Sequence, residues 1–271
     1  MRHVAEVGWA LARASHPFPA VAVTAMAAGL GVTSGAAPGA AAVLAAAVFA
    51  GQLSVGWLND LVDAERDAAV HRAGKPVAAG AVPRRVIWAA TALSGVGAVV
   101  LSLPFGPAAA GAHLLALGSA WAYDLGVKGT ALSVLPYVVS FGLLPVFITL
   151  AAADRFPPAW LAAAAALLGA GAHFANAQPD LADDRATGVR GLPHRLGTTG
   201  ALVAAAALVL AATGVLLTAP EVRWQLLPVS AGVVGTGFLL SRRPGSRAAF
   251  RAIVLVALLN VAVLLSTGPP R

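Results

Sequence analysis

The 271-residue chain has no cysteine and few charged residues. Without cysteine it has no disulfide bond, no thiolate metal site and no thiol nucleophile. Asp, Glu, Lys and Arg make up only 11% of the residues, compared with about 25% in soluble domains. These charges are too few to cover a soluble core of this size, and 59% hydrophobic residues exclude a disordered chain. The composition therefore favours a protein that is solvated by lipid.

The apolar residues form nine segments, each near the length of a transmembrane helix. Alanine and glycine are frequent in them, as in closely packed membrane helices. Glu6, Trp9 and Arg13 interrupt any signal-peptide pattern, so we expect the first segment to be retained. The predicted segments are Pro17 to Ser34, Gly39 to Leu58, Arg84 to Leu103, Pro107 to Tyr123, Leu132 to Ala152, Pro158 to Ala177, Thr198 to Thr218, Val222 to Leu240 and Ala248 to Ser266. We expect an all-α, polytopic membrane protein with about nine transmembrane helices.

The charged residues lie predominantly on one side of the predicted membrane. Of the 18 Lys and Arg residues, 15 fall on the side of the N-terminus, which the positive-inside rule makes cytoplasmic. The net charge of +7 thus indicates topology, and we expect no nucleic-acid partner. Nine of the 11 acidic residues lie on this side too. The rule does not require this, so a separate function must account for them.

The first acidic cluster follows the second apolar segment and reads Asn59-Asp60-Leu61-Val62-Asp63-Ala64-Glu65-Arg66-Asp67. If the helix continues, Asn59, Asp63 and Asp67 share one face at positions i, i+4 and i+8. Such a stripe of oxygen-bearing side chains repels itself unless a cation binds. Hard oxygen ligands suit Mg²⁺, which typically bridges one or two carboxylates to a substrate phosphate.

The second acidic cluster, Asp180-Leu181-Ala182-Asp183-Asp184, follows the sixth segment. Asp180 and Asp184 are again spaced i, i+4, and both clusters lie at the cytoplasmic end of an even-numbered segment. The matched spacing predicts two facing acidic stripes, one for each of two metal ions. Solvated loop acids, balanced by nearby arginines, would explain either cluster taken alone.

Basic side chains follow these clusters and are candidates for binding a diphosphate, Arg through its fork and Lys as a point charge. The positive-inside rule explains most of them equally well, except for Lys128, the single basic residue of its loop. Tyr123 adds a hydroxyl donor nearby, and Asp124 is an alternative partner for Lys128. The candidates are Arg72, Lys75, Lys128, Tyr123 and Arg185.

Taken together, the two clusters resemble the motifs of the UbiA superfamily of intramembrane prenyltransferases. Asn59 to Asp67 fits its NDxxDxxxD motif, and Asp180 with Asp184 fits its DxxxD motif, followed by Leu192-Pro193 and Leu196-Gly197. The resemblance covers essentially the whole chain and implies a single UbiA-like transmembrane prenyltransferase domain over residues 1–271. Lys75-Pro76 departs from the Arg-Pro that is common in the family, which leaves the acceptor subgroup open.

The resemblance implies a helical bundle around a central cavity, with two Mg²⁺ ions and an isoprenyl diphosphate bound near the cytoplasmic side of the plasma membrane. The implied catalytic residues are Asp63, Asp67, Asp180 and Asp184. The implied metal ligands are Asn59, Asp60, Asp63, Asp67, Asp180 and Asp184. The allylic C–O bond of the isoprenyl diphosphate would ionise and release diphosphate. The prenyl group would then pass to a lipophilic acceptor, for example an aromatic one, within the membrane lipid.

Two other functions remain open at this point. The same ionisation ends in intramolecular capture in a membrane terpene cyclase of this superfamily, which needs no acceptor. An ion-coupled transporter would instead place its carboxylates near the membrane midplane, whereas these acids cluster at the ends of the segments.

Several aromatic residues are candidates for the cavity wall, where ring faces stabilise a cation. Packing or a position at the membrane interface is the alternative for each of them. His173 and Asn176, one turn apart before the second cluster, are candidates for orienting an acceptor or supporting the metal ligands. The aromatic candidates are Trp57, Trp88, Trp121, Tyr137, Phe141 and Phe174.

Overall fold

The computed structural model describes residues 2–70, 74–219, 222–240 and 248–267. Within these ranges all regular secondary structure is helical. The helices are α1 (Arg2–Ala14), α2 (Pro17–Thr33), α3 (Pro38–Ala69), α4 (Arg84–Ser102), α5 (Pro107–Leu125), α6 (Leu135–Ala153), α7 (Ala159–Ala177), α8 (Leu181–Ala186), α9 (Leu192–Leu216), α10 (Leu226–Leu240) and α11 (Ala248–Thr267).

Each of the nine predicted apolar segments overlaps one of these helices, which confirms the all-α prediction. By length and composition, six helical stretches of the described chain are suited to cross a membrane: Pro38–Ala69, Arg84–Phe105, Leu135–Ala153, Ala159–Ala186, Leu192–Leu216 and Ala248–Ser266. Helices α2 and α10 are apolar but shorter, with 17 and 15 residues. The chain is therefore a multi-pass membrane protein, whereas these criteria do not confirm the number of nine spans.

Proline defines where many of the helices begin. It occupies the first turn of α2, α3, α5, α6 and α9, where its missing N–H costs no hydrogen bond. Glycine with positive φ follows α5 at Gly126, and Gly197 kinks α9 at φ 72°. These residues fix where the apolar helices end and where polar side chains begin.

Helix α3 is long enough to carry the first acidic cluster beyond the apolar part of the bundle. Its 32 residues span about 48 Å at 1.5 Å per residue, more than the roughly 30 Å of a hydrocarbon core. The helix continues through Asn59 and Asp67, as the stripe prediction requires. The second cluster differs, because Pro179 lies in a short 3₁₀ turn, Gln178–Asp180, and Asp184 lies on the separate helix α8.

The core forms where α2, α3, α5, α6, α7, α9 and α11 meet. Its largest fully buried side chains include Phe147, Leu44 and Ile148. Some intramembrane polar groups are paired between helices, as His113 Nδ1 is with Ser102 Oγ at 2.7 Å. The ends of α3, α5 and α7, the start of α6, and the link between α1 and α2 surround a cavity that contains polar and charged groups.

Candidate active site

Both acidic clusters contribute to one cavity of about 460 Å³. Asn59 and Asp63 line it from α3, Lys128 lines it from the loop after α5, and Asp180 and Asp184 line it from the segment after α7. The two clusters, 113 residues apart between Asp67 and Asp180, thus meet because their helices end at the same end of the bundle.

Asp63 is the centre of a buried charge network at the end of α3. Lys128 Nζ donates to Asp63 Oδ1 at 2.6 Å, and Arg66 forms a second ion pair with the same oxygen. The amide of Asn59 donates to Asp63 Oδ2 at 3.3 Å and to Asp124 Oδ1 at 2.9 Å. Lys128 therefore hydrogen bonds to Asp63, and the partner of Asp124 is Asn59. Two cations compensate the central carboxylate.

Asp60 and Asp67 face Lys75 and do not line the cavity. Lys75 Nζ lies 3.1 Å from Asp60 Oδ1 and 3.7 Å from Asp67 Oδ2, and the Val77 N–H donates to Asp60 Oδ2 at 3.3 Å. Asp60 is 1% exposed. Its contacts anchor the segment after α3 to the helix, so its expected role as a metal ligand stays a prediction, as does that of Asp67.

Helix geometry explains this division of the predicted stripe. Residues four apart rotate by about 40° around a helix axis, so Asp67 lies about 80° away from Asn59. Residues seven apart differ by only about 20°, which places Asp60 and Asp67 on nearly the same side of α3. Asn59 and Asp63 therefore line the cavity, and Asp60 and Asp67, on the neighbouring face of α3, contact Lys75.

The second cluster is joined to the start of α9. His194 Nε2 lies 3.2 Å from Asp184 Oδ2, and Arg185 Nη2 donates to the backbone oxygen of His194 at 2.7 Å. The Val189 N–H donates to the Asp184 backbone oxygen at 2.8 Å. Asp180 and Asp184 are half-buried. These bonds hold the Asp184 carboxylate against the cavity although α8 has only six residues.

The predicted diphosphate-binding residues differ in their positions. Lys75, Lys128 and Tyr123 line the cavity, whereas Arg185 is exposed and does not line it, because its guanidinium is bonded to the α9 backbone. Arg72 lies outside the described residues. Arg66, which sequence reasoning did not choose for this role, does line the cavity.

Tyr137 and Phe141 are the two aromatic wall candidates that line the cavity, and His173 and Asn176 line it too. The other candidates have roles in packing: Trp57 Nε1 donates to the Leu11 oxygen at 2.8 Å, Trp121 Nε1 donates to Ser54 Oγ at 3.1 Å, Phe174 is buried among core residues, and Trp88 is exposed. Length and hydropathy do not distinguish these two groups, because the distinction depends on how each helix is rotated.

His16, His194 and Asp124 are cavity residues that the spacing arguments did not select as site residues. His194 carries a partial signal, because it lies inside the Leu192–Gly197 segment that follows the second motif. Ser133 does not line the cavity, but it links α7 to the start of α9. Its Oγ lies 3.0 Å from His173 Nε2 and accepts a hydrogen bond from the Leu192 N–H at 2.9 Å.

A model of the UbiA prenyltransferase family matches residues 18–259, close to nine-tenths of the chain and including both acidic clusters. The chain belongs to the UbiA prenyltransferase family. The resemblance seen in the two motifs is thereby confirmed. No curated protein matches the sequence of this UbiA family member.

Solved structures of UbiA proteins have the same fold. A UbiA homologue from Archaeoglobus fulgidus bound to GPP and Mg²⁺ superposes with a TM-score of 0.70 at 17% identity, over 95% of this chain and 99% of that one. A digeranylgeranylglyceryl phosphate synthase superposes with a TM-score of 0.70 at 16% identity, over 98% of this chain and 97% of that one. The apo UbiA homologue from Aeropyrum pernix K1 superposes with a TM-score of 0.66 at 20% identity, over 96% of this chain and 98% of that one. At these identities the likeness establishes the fold.

The oxygen donors around the cavity of this UbiA chain fit Mg²⁺. Among the described residues, no three acidic or histidine side chains lie close enough to hold an ion by themselves. Mg²⁺ does not require that, because it commonly takes one or two carboxylates together with substrate phosphates and water. Asp63, Asp180 and Asp184 supply carboxylates, and Asp124 Oδ2 is buried with no hydrogen-bond partner among the described residues.

The anchoring role of Asp60 is testable by Asp60→Asn, which removes the charge facing Lys75 and keeps an acceptor for the Val77 N–H. We expect the free energy of unfolding to fall by about 1–3 kcal/mol, because a buried ammonium loses a charged partner. Thermal unfolding in detergent, followed by circular dichroism, measures the change. Glu65→Gln on the same helix is the matched control, since its exposed pair with Arg84 contributes little. Equal stability of the two variants would contradict the assignment.

Proposed function

We propose that the chain is an Mg²⁺-dependent intramembrane prenyltransferase that ionises an isoprenyl diphosphate and transfers the prenyl group to a lipophilic acceptor. The observation that carries this proposal is the convergence of Asp63, Asp180 and Asp184 with Lys128 and Arg66 on one cavity at the end of an apolar bundle. Family membership supports it, as does the Archaeoglobus fulgidus homologue bound to GPP and Mg²⁺. In this proposal, residues 1–271 form one functional domain.

Two groups of oxygen ligands would hold the metal ions in this proposal. Asn59 and Asp63, with Asp67 as the third predicted member, would hold one ion, and Asp180 and Asp184 would hold the other. Asp60 stays a predicted ligand, and its ion pair with Lys75 would support the site. When bound, Mg²⁺ neutralises the diphosphate and so favours its departure.

The basic side chains around the cavity bind the diphosphate oxygens in this proposal. Lys128, Arg66 and Lys75 provide charge-assisted hydrogen bonds, which are stronger than neutral ones. Tyr123 lines the same wall and offers its hydroxyl group as a donor. Arg185 supports the site indirectly by fixing the backbone at His194, and Arg72 stays a predicted ligand.

The apolar walls complete the site by keeping water away from the reactive centre. Val23, Val55 and Ala120 line the cavity beside Tyr137 and Phe141, whose stacked rings are 6.1 Å apart. An allylic cation would be quenched by water, and an apolar enclosure protects it. Ring faces also attract positive charge. We therefore propose that the prenyl chain lies along this wall while the diphosphate lies among the charged residues.

Diphosphate release by matched Asp→Asn variants tests the assignment of the two acidic clusters. We expect Asp63→Asn and Asp180→Asn each to lower Mg²⁺-dependent release by about 100-fold or more, because each weakens the electrostatic stabilisation of the leaving group. Asp154→Asn is the control, since Asp154 is exposed, does not line the cavity, and has a left-handed backbone that asparagine tolerates. Robust release by either cluster variant would defeat the proposal.

The same assay, with products analysed by mass, distinguishes the transferase from the membrane terpene cyclase. Purified protein in nanodiscs receives geranyl, farnesyl or geranylgeranyl diphosphate with Mg²⁺ or EDTA, with and without a panel of lipophilic acceptors. A transferase releases diphosphate only with an acceptor and forms a prenylated product. Release without acceptor, together with a cyclic hydrocarbon or alcohol, would identify a cyclase.

Phe141 lines both the cavity and a second, apolar pocket of about 70 Å³. Side chains of α2, α6, α7 and α11 surround the second pocket, among them Leu30, Leu144 and Val261. Gly169 leaves room for the Phe141 ring, because a Cβ there would lie 2.6 Å from it. The main cavity must hold the diphosphate as well as the prenyl chain. We therefore propose that Phe141 limits the length of the donor.

Phe141→Ala joins the two spaces and should favour longer donors. We expect the ratio of kcat/KM for geranylgeranyl over geranyl diphosphate to rise about tenfold, which is a typical effect of added apolar pocket contacts. Phe156→Ala is the control, because Phe156 is 71% exposed and lines neither space. An unchanged ratio in a folded, active Phe141→Ala variant would contradict the limiting role of this ring.

A further inference from the structure

His16 links α1 to α2 with a backbone conformation that is unfavourable for this residue. Its φ is 53° and its ψ is 63°, in the left-handed region. Among the described residues, Asp154 is the other non-glycine residue with positive φ. Residue Pro17 follows, and a residue before proline prefers an extended conformation. Strain of this kind persists only where the surrounding contacts fix it, and it is often found at functional sites.

The residues directly before His16 are held against α3. A Cβ at Gly56 would clash with the carbonyl oxygen of Ser15, so the link lies directly against the backbone of α3. One turn before the link, the Leu11 oxygen accepts a hydrogen bond from Trp57 Nε1 at 2.8 Å. These contacts hold α1 to α3 and set the direction in which the His16 side chain leaves the backbone.

The imidazole of His16 lines the cavity, and its Nε2 lies 3.3 Å from Lys75 Nζ. Burial, and next the positive charge of Lys75, lower the pKa of His16 below its ordinary value. Because an ammonium can only donate, this contact is a hydrogen bond from Lys75 to an unprotonated Nε2. Asp60 and Asp67, which do not line the cavity, attract the same ammonium.

We propose that His16 is a positioning residue for the donor diphosphate: its Nε2 holds the Lys75 ammonium at the cavity wall, and the strained backbone is retained for this contact. The inference rests on the proposed function, because Lys75 is assigned there to diphosphate binding. Without His16, the two carboxylates would draw the ammonium toward their own face of α3 and away from the cavity. Lys75 would then be less available to a diphosphate in the cavity.

Glycine and asparagine at position 16 separate the backbone from the imidazole. Both residues adopt the left-handed region more readily than histidine does, and neither reaches Lys75 with a ring nitrogen. His16→Ala also removes the imidazole, but alanine does not tolerate the left-handed region. His16→Gly and His16→Asn should therefore unfold at a higher temperature than His16→Ala. An unfolding temperature equal to that of His16→Ala, or lower, in both variants would overturn the inference that the backbone is strained.

Donor affinity measures the role of the imidazole. Isothermal titration with geranyl S-thiolodiphosphate, a donor analogue that ionises poorly, is carried out with Mg²⁺ on the full chain in nanodiscs. We expect both variants to raise the Kd, and the KM of geranyl diphosphate, about tenfold, the value of one charge-assisted hydrogen bond. The kcat at saturating donor should change much less. An unchanged Kd would overturn the proposal.

A double-mutant cycle with Lys75→Met shows whether His16 acts through Lys75. If it does, His16→Gly has no further effect on the Kd once Lys75 is methionine, whereas additive effects would overturn the proposal.

Measurements on the wild type distinguish a failure of the proposed function from a failure of the role of His16. A wild type that binds no donor analogue and releases no diphosphate contradicts the proposed function itself, and one that does both while the variants match it contradicts only the role of His16.

Discussion

The charges at the end of this apolar bundle must neutralise one another, and the arrangement of the site follows from that constraint. An isolated charge in a poorly hydrated surrounding costs several kcal/mol, and it is tolerated when an opposite charge and hydrogen bonds accompany it. Asp63 meets Lys128 and Arg66, and Lys75 meets Asp60. Because Lys128 and Lys75 come from segments other than α3, their pairs with Asp63 and Asp60 also fix how the helix ends pack together.

The same pairing makes the cavity suitable for a substrate that carries several negative charges. Lysine and arginine side chains that compensate carboxylates are already in place for phosphate oxygens. When these basic side chains bind phosphate, the carboxylates that they had paired with provide the oxygen ligands that Mg²⁺ prefers. The apolar part of the bundle supplies the other requirement, a surrounding that excludes water from a reactive hydrocarbon. A membrane protein obtains both environments by placing a polar site at the ends of apolar helices.

The sequence predicted the parts of the site that depend on local spacing. Four-residue spacing at Asn59 and Asp63 marks a helix face whatever the rest of the chain does, and the paired motifs identified the family. The different orientation of Asp67 follows from the rotation of about 40° between residues four apart on a helix. That its partner is Lys75 does not follow from helix geometry. The pairing of Lys128 with Asp63 joins residues 65 positions apart, and no local pattern indicates it.

The conformation of His16 and the place of Phe141 beside two pockets are the features that the sequence predicts least, although Phe141 was a candidate for the cavity wall. The conformation of His16 is imposed by α3, and the position of Phe141 depends on space left by Gly169 on a neighbouring helix. Both effects arise from packing between helices and leave no periodic signal. Arg185 is the converse case, because its place beside the second motif suggested substrate binding, whereas its guanidinium is bonded to the α9 backbone.

The most direct test of the central claim is a count of metal ions in the cavity. Electron paramagnetic resonance is recorded on the chain in nanodiscs, with Mn²⁺ in place of Mg²⁺ and geranyl S-thiolodiphosphate bound. If both acidic clusters serve one diphosphate, two Mn²⁺ ions bind per chain, and their spectra show spin coupling because the ions lie close together. A single uncoupled ion, or none at saturating analogue, would contradict the account.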